Sequence, residues 1–274
     1  MTYHTWQVGI DIQNGQLCAL AVLRRRQGWQ LRHWFRTPLP DSIVQNGQLQ
    51  RSPALTHALR ILRRRLPRRH SLRVGYPPHA VQQHRLAAPG PAISARDRKH
   101  YLAASARRLF PIDPAGLAID ARDGAAESLV LTATRRETID SWLSGLADAE
   151  LEPEVLELTP NALSVTAGAL ALPQDQAVVY ALADHWLWLR RAAEGPVWGW
   201  ASRDDIADVE RLRQQMLPGS GPFWFSASTP QPQPAGSHPL QPLRAVALQQ
   251  PPLPDYPDAF TLALGLALRV ADSQ

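Results

Sequence analysis

The chain reads as an α/β protein of two sheet-and-helix halves, with a small α+β unit inserted into the first. Three observations predict this. Residues 8–12, 17–23 and 29–35 form an opening meander of three strands separated by the turns Asn14-Gly15 and Gln27-Gly28, and Asn-Gly is the strongest short-range hairpin signal. Residues 177–182, 185–191 and 197–200 repeat that three-strand opening, and an internal repeat on this scale defines a whole fold. Between the two meanders, helical periodicity alternates with short apolar strands, the pattern of an α/β chain.

The elements follow in order. Residues 53–66 form a helix: Ser52 caps it, Pro53 suits its first position, and Leu55, Ala58, Leu59, Leu62 and Leu66 share one face. Its opposite face is arginine. Residues 71–76 are a strand that Pro77-Pro78 ends. The insertion, residues 78–133, contains strands at 81–86, 117–120 and 128–132 and a helix at 95–109 capped by Ser94. Thr134-Arg135-Arg136-Glu137 has the spacing of a capping box and opens a helix to about residue 149 that buries Ile139, Trp142, Leu143 and Leu146. A strand at 154–158 leads into a helix from Thr159-Pro160 to about residue 170, and residues 172–175 form a hinge. In the second half, Ser202 caps a short helix reaching about residue 215, the Pro-rich residues 229–242 are a loop, and an apolar helix covers 258–271. The resulting division is residues 1–77 with 134–172 as the first lobe, 78–133 as the insertion, and 173–274 as a reduced second lobe.

Composition narrows the class of protein. Of 274 residues, 45% are apolar and 19% charged, enough for a core and too little charge for a disordered chain. No apolar run is long enough to span a bilayer, and the opening residues lack the basic and apolar regions of a signal peptide, so the expected location is cytoplasmic. The single Cys18 excludes an internal disulfide and a cysteine zinc site, and the nine His show no metal-ligand spacing. Charge is divided unevenly: residues 1–96 hold fifteen Arg and two acids, whereas residues 97–274 hold fourteen basic residues and twenty-two acids, or +13 followed by −8. A field of that sign attracts phosphate or anionic lipid.

Several motifs, in this order, resemble those of the PilM family of type IV pilus assembly proteins, including its HofM branch, within the actin-like ATPase superfamily. Val8-Gly9-Ile10-Asp11-Ile12 with Gln13-Asn14-Gly15 is similar to the family's first strand and phosphate loop, and Pro38-Leu39-Pro40 to the end of its first meander. Leu109-Phe110-Pro111-Ile112 and Leu117-Ala118-Ile119-Asp120 resemble its inserted subdomain, and Val130 through Glu137 resembles the strand into the next helix. Residues 158–169 resemble the helix crossing between halves, and Ala263-Leu264-Gly265-Leu266-Ala267-Leu268-Arg269 the C-terminal signature. The resemblance implies a duplicated, actin-like (ribonuclease H-like) two-lobe fold with ATP held in the central cleft.

Three loops of that cleft depart from the family pattern. Gln13 stands where the family has Gly, Tyr180-Ala181-Leu182 supplies neither the carboxylate nor the glycine of the second loop, and residues 225–228 lack the paired glycines of the adenosine loop. Asp184 is the nearest substitute carboxylate, but it lies in the turn. The expectation is a degenerate scaffold with no catalytic residue, metal or resident cofactor. Asp11, Asn14 and Gly15 remain as a vestigial phosphate loop, with Asp11 read either as a turn residue satisfying local donors or as a residual phosphate or Mg²⁺ contact.

The resemblance also implies a partner: the short cytosolic peptide of a PilN/HofN-like single-pass inner-membrane protein, docked between the insertion and the first sheet. Tyr101, Arg108 and Phe110 are the residues expected to serve that groove. Arg60, Arg64, Arg65, Arg68 and Arg69 form either a solvated face or a surface for anionic lipid, which would place the protein on the inner membrane with its basic lobe inward. Nucleic-acid binding is disfavoured because no DNA-binding motif or interleaved aromatics accompany the run. The alternatives are an active actin-like ATPase or sugar-kinase-like phosphotransferase, and a DNA-binding module using the Arg-rich lobe. Trp186, Trp188, Trp198 and Trp200 are expected to form cross-strand core pairs on one sheet face, with Trp6, Trp29 and Trp34 similarly placed in the first sheet.

Overall fold

The computed structural model describes residues 5–90, 94–110, 113–124, 127–173, 175–192 and 195–270. The first meander is β1 (Trp6–Gln13), β2 (Gln16–Arg25) and β3 (Gly28–Pro38), followed by a small hairpin of β4 (Val44–Gln45) and β5 (Gln48–Leu49), then α1 (Pro53–Arg65) and β6 (His70–Tyr76). The insertion contributes β7 (Gln82–Ala87), α2 (Ala95–Leu109), β8 (Leu117–Gly124) and β9 (Ser128–Arg135). The chain returns through α3 (Arg136–Ala147), β10 (Val155–Leu158) and α4 (Thr159–Ala169). The second meander is β11 (Val178–Ala181), β12 (His185–Ala192) and β13 (Gly195–Ser202), followed by α5 (Val209–Met216), β14 (Phe223–Ala227), β15 (Ser237–Pro239) and α6 (Thr261–Leu268).

The two large sheets have the same topology. Their orders are β3-β2-β1-β6-β10 and β13-β12-β11-β14-β15, each an antiparallel meander whose first strand pairs in parallel with a later strand, which in turn pairs in parallel with the last. β7, β9 and β8 form a separate antiparallel sheet.

Core packing follows the periodicity in α1, whose buried residues are Leu55, Ala58, Leu59 and Leu62, and the Leu55 N–H donates to the Ser52 hydroxyl at 3.1 Å. α3 buries Trp142 completely, with its indole N–H donated to the Gly47 carbonyl at 2.8 Å. At the centre, α6 is buried on every side. It touches β1 and α4 through two glycines: a Cβ on Gly9 would lie 2.0 Å from the Ala263 carbonyl oxygen, and one on Gly265 would lie 1.9 Å from that of Ala162. Only residues without a side chain allow backbones to approach so closely.

Local predictions fail where a tertiary partner claims the group. Thr134 does not cap α3. β9 continues through Arg135, and the Thr134 hydroxyl donates to the Ala80 carbonyl at 2.7 Å and bonds Tyr76 Oη at 3.0 Å. Ser202 opens a turn, while Asp208 caps α5 by accepting from the Arg211 N–H at 2.8 Å. The Pro-rich stretch contains β15, since parallel pairing with β14 uses backbone groups and needs no apolar side chains. Asn46-Gly47, both at positive φ, makes the β4–β5 hairpin, an Asn-Gly signal unread in the sequence.

The four tryptophans of the second meander divide between two faces. Trp186 opposes Ala201 and Trp188 opposes Gly199, whereas Trp198 opposes Leu189 and Trp200 opposes Leu187. The antiparallel register shifts the Trp of one strand against the intervening residues of the other, so the indoles never meet. Trp188 instead covers Gly199, where a Cβ would lie 2.3 Å from its ring. In the first sheet, Trp6, Trp29 and Trp34 are half-buried rather than internal.

Candidate functional site

Two concavities lie at the C-terminal ends of β1, β6 and β10. The first is the central cleft. β1 delivers Asp11, the β1–β2 turn delivers Gln13 to Gly15, β6 ends at Gly75, and the β11–β12 turn brings Asp184 and His185 from the other lobe. Asp11 is 1% exposed, and burial pushes its carboxyl up to about 7 despite the Gln13 amide that donates to it. Asp11 lies in β1 and accepts from a side chain, so it does not serve as a turn residue.

Asn14 bridges the lobes. Its amide nitrogen donates to Asp184 Oδ2 at 2.9 Å, and its oxygen accepts from the Val44 N–H at 2.8 Å. Asp184 Oδ1 lies 2.6 Å from His185 Nδ1; although burial opposes ionisation, the bonds and charge from His185, with Asn14, hold Asp184 down at about 2. Gln16 adds a second tie, donating to the Ser228 carbonyl at 2.9 Å while accepting from Arg36 at 2.8 Å. His79 closes the rim by edge contact with His185 and Trp200, at centroid separations of 5.8 Å and 5.5 Å.

The space left in the cleft is about 30 Å³. Small-molecule sites usually occupy roughly 300–1,000 Å³. The second strand offers Tyr180, fully buried with its hydroxyl on the Asp258 and Ala259 carbonyls, in place of a carboxylate. The cleft in this arrangement is far smaller than such a small-molecule site. Among the described residues, no group of three His, Cys, Asp or Glu is placed to hold a metal.

The second concavity is a groove of about 740 Å³ between the insertion sheet, β10 and the beginning of β13. Strand alternation builds it. In register, Gln83 opposes Thr132, Arg85 opposes Val130, Asp120 opposes Thr132 and Arg122 opposes Val130, so these residues share the groove face. Leu156, Leu158 and Trp198 supply the apolar opposite wall. Beneath them lies Glu157, 2% exposed, which accepts from Asn161 at 2.8 Å, the Leu158 N–H at 3.0 Å, Arg122 at 3.1 Å and Arg269 at 2.5 Å. One carboxylate thus joins the insertion, the first sheet, α4 and the end of α6.

The residues expected to serve this groove lie elsewhere. Phe110 is 4% exposed and packs with Ala106, Leu117, Leu131 and Ala133 on the opposite face of the insertion sheet. Tyr101 donates its hydroxyl to the Ala87 carbonyl at 3.0 Å, and Arg108 is exposed on α2. None of the three lines the groove. Pro111 and Ile112 lie outside the described residues. The signal that locates the groove is the polar alternate set Gln83, Arg85, Thr132, Asp120 and Arg122 on one face of the insertion sheet.

The basic helix also divides. Arg60 donates to the Asp148 carbonyl at 3.2 Å and Arg63 to that of Glu150 at 3.1 Å, satisfying the C-terminal carbonyls of α3 and the turn after it. Arg64, Arg65, Arg68 and Arg69 are exposed, with the Arg65 guanidinium 5.4 Å from the Phe35 ring centroid.

No protein-family model matches the chain. It is 26% identical over 272 residues to the DNA utilization protein HofM of Escherichia coli (strain K12), covering 98% of both chains. Among solved structures it is similar to a chain of the PilM-PilN type IV pilus biogenesis complex, with TM-score 0.69 and 17% identity over 95% of this chain and 97% of that one. It also resembles the cytoplasmic domain of EpsL, an inner-membrane component of the Vibrio cholerae type II secretion system, with TM-score 0.54 and 13% identity over 95% and 94% of the two chains. The chain thus resembles HofM along its whole length and, with its duplicated sheets and inserted subdomain, has the actin-like fold of the PilM chain.

Proposed function

We propose that this protein is a cytoplasmic assembly scaffold of a type IV pilus-like or DNA-uptake complex at the inner membrane. Its groove takes the short cytosolic tail of a PilN/HofN-like membrane protein. The observation that carries this reading is the 740 Å³ groove, with an apolar wall at Leu156, Leu158 and Trp198 and a polar wall on the insertion sheet. A linear segment needs such a combination, apolar anchors for affinity and polar groups for register. The PilM-PilN complex supports the partner class. No helix among the described residues is long and apolar enough to cross a membrane, so in this reading attachment comes through the partner.

The central cleft joins the lobes and does not catalyse. Asn14–Asp184 and Gln16–Ser228 tie the two halves where a nucleotide would separate them. Titration with a synthetic N-terminal peptide of the membrane protein encoded beside this one should show saturable binding, and Val130→Arg, in the middle of the groove face, should weaken it at least tenfold with no change in melting temperature. Calorimetry with Mg²⁺-ATP should show no heat of binding. Absence of peptide binding by the wild-type chain would sink the scaffold reading, and micromolar ATP affinity would restore the enzyme.

A further inference from the structure

The fold gathers arginines from separate parts of the sequence at one end of the first sheet. Trp6 begins β1 opposite His70, the first residue of β6, and the β2–β3 hairpin turns at the same level. α1 is joined to this end by residues 66–69, so Arg68 and Arg69 directly precede His70. Arg24, Arg25 and Arg26 of the hairpin therefore lie at the same end as Arg64, Arg68 and Arg69, all exposed. No ion pair joins any of these six to a carboxylate among the described residues. Of the carboxylates near this end, Glu154 accepts from Ser71 of β6 at 2.5 Å, and Glu150 lies beside α1, where its carbonyl accepts from Arg63 at 3.1 Å; neither is on the β2–β3 hairpin. A surface of one sign is left on the β2–β3 side.

We propose that this surface docks on an anionic lipid bilayer. Two features favour lipid over nucleic acid. The basic groups sit on a hairpin tip and a helix end, which project, and the described residues there form no channel that would track a phosphate backbone. The neighbouring indoles are already occupied: Arg24 lies 5.1 Å from the Trp29 ring centroid and Arg32 lies 5.2 Å from that of Trp6, so neither face is open for base stacking. Such capped, half-buried indoles suit the headgroup level of a membrane. The surface lies at the N-terminal end of β6 and the groove at its C-terminal end, about 20 Å away at about 3.3 Å per residue. Lipid docking is thus a second attachment that stands whether or not the groove binds a peptide.

The test is co-sedimentation at low salt with vesicles of phosphatidylcholine alone or with one third phosphatidylglycerol. The wild-type chain should bind only the anionic vesicles, with affinity falling as salt rises. A basic residue held at such a surface contributes about 1 kcal/mol, so Arg64→Ala with Arg68→Ala should weaken binding about thirtyfold. Arg107→Glu, an exposed change on α2, should leave it unaltered. Thermal melting should coincide for all three proteins. Equal binding to neutral vesicles, indifference to the Arg64 and Arg68 changes, or binding of a 30-base-pair duplex without vesicle binding would overturn the proposal.

Discussion

Glu157→Gln tests whether one buried carboxylate holds the insertion, the first lobe and the C-terminal helix together. The side chain is nearly isosteric, and its amide oxygen still accepts from Asn161 and the Leu158 N–H, so the change removes the charge facing Arg122 and Arg269. Arg269 is 7% exposed and Arg122 is about half exposed, so solvent compensates the second and not the first. Breaking a buried ion pair by removing one partner costs about 3–5 kcal/mol, at least about a fifth of the roughly 5–15 kcal/mol that stabilises a typical domain. Urea unfolding at pH 7 should show that loss. The combined Glu157→Gln, Arg269→Gln protein should lose less than the sum of the single changes, because the second change removes the uncompensated cation. Burial raises the Glu157 pKa, but the Asn161 bond and the charges of Arg122 and Arg269 outweigh it and leave it below the ordinary 4.5. Its contribution is therefore complete above 4.5 and lost as pH falls through the lower folded value, so the two proteins should converge in acid. A loss under about 1 kcal/mol at pH 7, or strict additivity in the double variant, would refute the reasoning.

Two further outcomes follow from the core and the cleft. Gly265→Ala should lower the unfolding free energy by about 1–3 kcal/mol, since its Cβ would meet the Ala162 carbonyl and force α4 and α6 apart; an unchanged free energy would mean that the helices do not pack backbone to backbone. Asp11→Asn should stabilise the protein at pH 8 and change it less at pH 5, read by melting temperature. The folded pKa of Asp11 is raised from 3.8 to about 7, so its favourable contribution is complete below 3.8 and is lost as pH rises through 7, a loss that the neutral amide avoids. Destabilisation by Asn at pH 8 would show that an ionised Asp11 is favoured in the fold.

Much of the architecture is legible in the chain because it rests on local rules. The meanders follow from strand alternation and Gly-containing turns, and α1 follows from apolar spacing behind a capping Ser. The departures occur where distant groups compete. Thr134 looks like a cap, but Ala80 and Tyr76, fifty residues or more away, claim its hydroxyl. The tryptophan pattern of the second meander is periodic within each strand, but the register between strands is a tertiary fact, and it places the rings on opposite faces. Phe110 is expected to serve the groove, yet α2 covers the face of the insertion sheet that the groove does not use, so Phe110 becomes core.

By itself, the sequence determined that this is a duplicated α/β chain with an insertion and that its positive charge precedes its negative charge, since each depends on residue type and short-range order. Only the tertiary structure decided what those features accomplish. Gln13 and Asn14 fill and tie a cleft because strands from both lobes converge there. The groove exists because an uncovered sheet face meets Leu156, Leu158 and Trp198. The arginines of residues 24–26 and 68–69, some forty residues apart, come to one end of the first sheet because the β2–β3 hairpin turns level with the start of β6. Side chains far apart in sequence act together only after backbone pairing has set their distances, and that pairing is a property of the whole fold.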